Sequence, residues 1–161
     1  MSGVNAPGAK RPVGESRLWR AVLKFYLNGA PRSLLERVRR ANPAVLMEEF
    51  VFVGRRTGLE RNLLLSLYDV DGTWYAGHPN GTSQWVRNLI AAGSCTVIRR
   101  GHEPVRVTAV EIPDGPERDR VVAATGRQPN PTGAIYRGAR RHVRAVGRYF
   151  RLTPVEATGS A

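Results

Sequence analysis

The chain has 161 residues, a length that fits one domain with a single core. Its 25 basic residues against 13 acidic ones give a formal charge of +12, which points to an anionic partner: nucleic acid, a membrane surface or an acidic small molecule. No apolar run reaches the roughly 18 residues that a membrane-crossing helix needs, and a single cysteine, Cys95, excludes an internal disulfide.

The opening stretch, residues 1–15, is polar and aperiodic, reads as a disordered leader and lacks the apolar centre of a secretory signal, so a cytoplasmic location is expected. Next comes SRLWRAVLKFYLNG, with Leu18, Trp19, Val22, Leu23, Tyr26 and Leu27 at helical spacing and Arg17, Arg20 and Lys24 on the other flank. Its apolar stripe either packs on the domain's own core or lies on an acidic membrane, a peripheral contact through residues 16–27. A second helix, RSLLERVRRAN, runs up to Pro43 and completes an N-terminal helical segment, residues 16–43.

From residue 44 to 155 the pattern changes to short strands. VLMEEFVFVG, NLLLSLYDV and TWYAGH are punctuated by turn signals, and Asp71-Gly72 predicts a tight hairpin. TSQWVRNLIAAG reads as a helix with a hydroxyl N-cap and Gly93 as C-cap. SCTVIRR and EPVRVTAVEI follow as strands, with Cys95 expected to be a buried, inert thiol. DGPERDRVVAAT and GAIYRGARRHVRAVGR read as helices, YFRLTPV as a closing strand, and residues 156–161 as a tail. The order predicts an α+β domain: a mostly antiparallel sheet or barrel with flanking helices.

Common catalytic signatures are missing from the sequence. His78, His102 and His142 lack metal-ligand spacing, so no metal is expected, and there is no GxSxG elbow, phosphate-binding P-loop or GxGxxG turn. An enzyme built on this chain would borrow its chemistry from a cofactor. The stretch VFVGRRTGLERNLLL places Arg55, Arg56 and Arg61 close together around a turn bracketed by Gly54 and Gly58, with Thr57 between. Backbone amides, a hydroxyl and guanidinium forks can together hold a phosphate without a metal. Read alone, the loop is better explained as a polar hairpin turn with solvated arginines, and composition by itself leaves the choice open. The arginine excess has two sources open to it, GC-rich codon usage and bidentate anion binding, since only Lys10 and Lys24 are lysines.

In order along the chain, GRRTG with Arg61 downstream, a strand ending in a Tyr-Asp hairpin, a strand leading to GHPNG, and then QWVRNLIAAG resemble the deazaflavin (F420)-dependent nitroreductase family, over residues 45–153. The resemblance implies a split β-barrel of the FMN-binding-like type. It implies that Gly54, Arg55, Arg56, Thr57 and Gly58 hold the phosphate and acidic tail of coenzyme F420, with Arg61 and Asn62 nearer the ring. The backbone of Gly77, His78, Pro79 and Asn80 would line the deazaflavin, Trp85 and Asn88 would close the pocket, and Tyr136 would stand over the substrate as the catalytic tyrosine. Two departures stand out: Phe52-Val53 replaces a threonine pair, and His78-Pro79 replaces a Ser- or Lys-rich turn.

The function so implied is an F420H2-dependent reductase passing hydride to a small-molecule acceptor such as a quinone, nitro compound or activated alkene. A non-catalytic split-barrel carrier of F420, FMN, haem or fatty acid is the alternative. Nucleic acid is not expected as a partner, because aromatic residues are only 7% of the chain and no binding module is present. Pairing into a homodimer is an expectation of the fold, with Trp74 and Tyr75 as interface candidates or as core.

Overall fold

The computed structural model of the chain describes residues 11–156; the first ten residues of the expected leader and residues 157–161 of the expected tail lie outside them. Within the leader's last residues, the Glu15 N–H donates to Pro12 O at 3.1 Å and the Glu15 carboxylate accepts from Arg20 at 2.7 Å.

Seven strands form one sheet: β1 Met47–Val53, β2 Glu60–Ser66, β3 Tyr68–Val70, β4 Thr73–His78, β5 Ser94–Ile98, β6 Val105–Glu111 and β7 Arg148–Pro154. Their order across the sheet is β2-β1-β5-β6-β7-β4-β3, and every neighbouring pair is antiparallel. The two edge strands, β2 and β3, are consecutive in the chain and separated only by Leu67. One bent segment therefore serves both edges, and the sheet must curl until they meet at Leu67. This is why NLLLSLYDV, which reads as a single strand, breaks at Leu67. That residue is buried, and its N–H donates to Leu46 O at 2.8 Å, a last bond in register with the β1–β2 pairing.

Side-chain alternation along the strands divides the core into two. Phe50, Phe52, Leu67, Ala76, Cys95, Val97, Val107, Phe150 and Leu152 point to the barrel interior, capped by Trp85, Val86 and Leu89 of α3 (Gln84–Ala92). Their immediate neighbours Tyr68, Tyr75 and Tyr149 point outward beneath α4 (Pro116–Thr125), α5 (Thr132–Gly138) and α6 (Arg140–Val146). Tyr75 is thus core, with its hydroxyl donating to Glu117 at 2.9 Å, while Trp74 is half-buried under the guanidinium of Arg99 at 4.6 Å. Cys95 is buried, and loss of solvent pushes its thiol up to about 12, so it is inert at neutral pH.

Turn and cap chemistry follow the sequence closely. Asp71 and Gly72 take positive φ, 53° and 82°, in the β3–β4 hairpin. Ser83 Oγ accepts from Val86 N–H at 3.3 Å, and Gly93 closes α3 in the left-handed conformation. The segment GAIYRGARRHVRAVGR forms two helices, α5 and α6, instead of one. At the break, a Cβ on Gly138 would lie 2.8 Å from the Trp19 ring, so the chain turns where α1 (Arg17–Asn28) packs against it.

Leu23 of α1 is buried, with Trp19 packed beside it. Helix α2 (Arg32–Ala41) is held differently: none of its residues is buried. Arg39 donates to Met47 O and the Glu48 carboxylate at 2.8 and 2.6 Å, and Arg32 donates to Asn62 O at 3.1 Å.

Candidate functional site

Strand β1 ends in Gly54, and the chain returns as β2 through the turn Arg55 to Leu59. The turn is closed by its own backbone: Gly54 N–H donates to Leu59 O and Gly58 N–H to Gly54 O, each at 2.8 Å, while Gly58 takes φ +68°. Thr57 Oγ1 accepts from Leu59 N–H at 3.3 Å. A Cβ on Gly54 would lie 2.8 Å from that same oxygen, so glycine there lets the turn fold tightly.

Asn88 of α3 is buried at 9% exposure, and its Oδ1 accepts both the backbone N–H of Arg55 at 3.2 Å and Nη1 of the same residue at 3.0 Å. Gln84, one helical turn earlier, accepts a second bond from Arg55 Nη1 at 3.1 Å. Helix α3 thereby fixes the arginine turn across a cleft of about 370 Å³. The apolar wall is Phe52, Leu63 and Trp85, with Phe52 and Trp85 stacked at a centroid separation of 5.7 Å and an interplanar angle of 29°. Arg55, Arg56 and Arg61 complete the lining, Arg61 directly across the β1–β2 ladder from Phe52.

The cleft gathers three cations that no carboxylate among the described residues neutralises. Arg20, Arg32, Arg39, Arg144, Arg148 and Arg151 are each ion-paired to a carboxylate. Among the described residues, no carboxylate pairs with Arg55, Arg56 or Arg61, and all three side chains are exposed. Three cations share one mouth, beside neutral amides and an aromatic wall. That arrangement suits an anion attached to a planar or apolar body.

Of the residues singled out by sequence, Gly54, Arg55, Arg56, Thr57, Arg61, Trp85 and Asn88 meet at the cleft. The others do not line it. Gly58 shapes the turn. Asn62, next to Arg61 on β2, faces the other way by strand alternation, and its amide donates to Glu49 at 2.8 Å. Gly77 lies opposite Tyr149 in the β4–β7 ladder, where the missing side chain makes room for the tyrosine ring. Pro79 is buried, and Asn80 is a tether: its amide donates to Arg20 O at 2.9 Å and its Oδ1 meets His142 Nε2 at 2.8 Å. Since His142 Nδ1 accepts from Ser16 N–H at 3.0 Å, the imidazole proton sits on Nε2 and is donated to Asn80.

His78 touches the site indirectly, its ring tilted against Trp85 at 6.2 Å. Burial pushes its pKa down to about 4, so it is neutral at physiological pH, and Nδ1 accepts from Asn80 N–H at 3.2 Å. Tyr136 stands apart from the cleft. It is buried in the outer core beside Tyr68 and Tyr149, beneath the helices, and takes no part in the cleft. Burial and those neighbours raise its hydroxyl well above the usual range. A sequence position within a helix gives no information on which side of the sheet that helix lies.

Sequence reading passed over Gln84 and Leu63 and treated Phe52 only as a departure. Gln84 was accessible from its i, i+4 spacing to Asn88. Phe52 was accessible from its i, i+2 relation to Gly54. Among the described residues no three His, Cys, Asp or Glu side chains converge as a metal site. No helix among them is long and apolar enough to cross a membrane.

No family model and no curated protein matches the sequence. Solved structures do match. HutZ, a haem storage protein from Vibrio cholerae, aligns at TM-score 0.53 and 12% identity over 76% of this chain and 90% of that one. A putative pyridoxamine 5'-phosphate oxidase from Listeria innocua aligns at TM-score 0.50 and 7% identity, over 76% and 94%. An F420-H2 dependent reductase, FDR-A, aligns at 20% identity over 66% and 93%, but its TM-score of 0.46 is too low to weigh. At these identities the likeness is one of fold: a split β-barrel of the FMN-binding-like type with flanking helices.

Proposed function

We propose that the protein is a deazaflavin-dependent reductase that binds coenzyme F420 in the cleft between the Arg55–Leu59 turn and α3. The observation that carries this reading is the set of three guanidinium groups without carboxylate partners at the mouth of an aromatic-walled cleft. Three cations gathered at one mouth raise the local positive potential, which favours an anionic ligand. F420 carries a phosphodiester and an acidic tail on a planar ring system, which suit the cationic and the apolar parts of the lining.

In this reading Arg56 and Arg61 neutralise the phosphate and tail. Arg55, fixed by Asn88 and Gln84, presents its remaining N–H groups in a set direction. Phe52, Trp85 and Leu63 hold the ring by apolar contact and keep water from its face. When bound in its reduced form, the coenzyme would supply a hydride from C5 to an electron-poor acceptor: a quinone, a nitro compound or an activated alkene. The chain's part is orientation and charge neutralisation. With Tyr136 in the outer core, the product's proton comes from solvent.

A haem carrier is the rival that the fold brings forward, and His78 is the residue that would serve it. The tautomer argues against it: Nδ1 accepts from Asn80 N–H, so Nε2 keeps the proton and lacks the lone pair that an iron would need.

Titration of the apoprotein with F420, followed by fluorescence, tests the proposal. Saturable binding that falls at least ~100-fold in Arg55→Ala/Arg56→Ala supports it, each lost charge-assisted contact being worth roughly ten-fold. Affinity unchanged by that double substitution sinks it.

A further inference from the structure

Helix α1 carries more apolar surface than the core covers. Its packed stripe is Trp19, Leu23 and Tyr26, while Leu18 and Phe25, seven residues apart and so on one face, are 69% and 81% exposed. Three residues separate α1 from α2, which repeats the pattern: Leu34 and Val38, four apart, are 45% and 42% exposed. Helix α2 is anchored by arginine hydrogen bonds from its opposite face, through Arg32 and Arg39, so its apolar stripe has no structural task within the domain.

The charge around these stripes identifies the partner. Between residues 17 and 42 there are seven basic residues and one acidic, Glu36. Arg17, Lys24, Arg37 and Arg40 join no ion pair among the described residues. Exposed large apolar side chains flanked by unpaired cations match the interfacial region of an anionic bilayer, where acyl chains take the former and lipid phosphates the latter. A second copy of the chain fits less well. A two-fold contact through the same face would bring two cationic helix pairs together without a compensating carboxylate. Nucleic acid would satisfy the cations but leave Phe25 and Leu18 without a partner.

We infer that the α1–α2 helix pair is a membrane-docking surface that seats the domain on anionic phospholipid, with Leu18, Phe25, Leu34 and Val38 entering the headgroup boundary. The inference does not depend on the coenzyme, and its test contains none. Full-length protein is sedimented with large vesicles of phosphatidylcholine, with or without about one-third phosphatidylglycerol, at physiological salt. Binding to the anionic vesicles is expected, with at least ~10-fold weaker partition to the neutral ones. Leu18→Ser/Phe25→Ser and Leu34→Ser/Val38→Ser should each lower the partition coefficient about ten-fold, since each pair removes buried apolar area from the bound state. In the unsubstituted protein, anionic vesicles should slow amide hydrogen exchange in residues 17–41 and not in α3, a reading that needs no variant. Absence of binding to anionic vesicles overturns the inference. So does binding that either double variant retains in full, which would mark a contact made by charge alone. Self-association lost in the same variants, without vesicle binding, would assign the surface to a second copy.

Discussion

Asn88 Oδ1 accepts two hydrogen bonds from one residue, the backbone N–H and the guanidinium of Arg55. A single buried amide on α3 thus fixes both the path of the arginine turn and the direction of its first side chain. Asn88→Ala should leave the barrel folded but release the turn. Hydrogen exchange at residues 55–59 should accelerate, and F420 affinity should fall about ten-fold, as expected for two lost hydrogen bonds at a preorganised site. Unchanged exchange in the turn would show that the backbone bonds at Gly54 and Gly58 suffice to hold it.

Among the described residues Arg56 pairs with no carboxylate and is exposed, so its charge serves no stabilising contact among them. Arg56→Ala should leave the melting temperature within about 2 °C, surface changes of this kind being worth under ~0.5 kcal/mol. Ligand binding should weaken roughly ten-fold, with a shallower dependence on salt. Isothermal titration at two ionic strengths measures both.

Tyr136 lies in the outer core, away from the cleft. Tyr136→Phe should therefore leave F420 affinity and any hydride-transfer rate within about two-fold of the unsubstituted protein, well short of the ~100-fold that losing a general acid costs. Stopped-flow oxidation of the bound reduced coenzyme would reveal a larger effect if the hydroxyl took part.

Gly77 is a packing residue. A Cβ there would lie 2.1 and 2.5 Å from two carbons of the Tyr149 ring and 2.7 Å from Arg148 O. Gly77→Ala should destabilise the fold by about 2–3 kcal/mol through overpacking between β4 and β7. Urea unfolding checks this, and a neutral result would show that the Tyr149 ring can shift.

His78 gives the protein a pH dependence whose direction is set. Its folded pKa of about 4 lies below the ordinary 6.5. Above that ordinary value both folded and unfolded chains hold it neutral. As pH falls from 6.5 toward 4, the unfolded chain takes up a proton that the folded one refuses, so stability declines through that window and levels off below it. His142, lowered first by burial and then by Arg20, adds to the same trend. In His78→Leu the slope of melting temperature against pH across this window should flatten; an unaltered slope would assign the acid sensitivity to other groups.

Local chemistry written in the sequence settled most of the turns and caps, though not the break at Leu67 or the one between α5 and α6. Asp71-Gly72, Ser83 and Gly93 specify their turn and caps through interactions spanning a few residues, so they could be read in isolation. The strand alternation was equally legible, and with it the α+β class. The arginine turn could be picked out as a candidate anion site because its three guanidinium groups lie within one hairpin. What the sequence could not determine was which distant residues share a face. Asn88 and Gln84 reach the turn only because α3 caps the barrel end beside β1, and Tyr136 falls in the other core only because α5 covers the sheet's outer side. Likewise, Gly77, Pro79 and Asn80 are engaged by Tyr149, α1 and α6. Short-range hydrogen bonding and side-chain periodicity fix each segment on its own; the curl that joins β2 to β3 through Leu67, and so decides what is inside the barrel and what is outside, arises only when all seven strands pair.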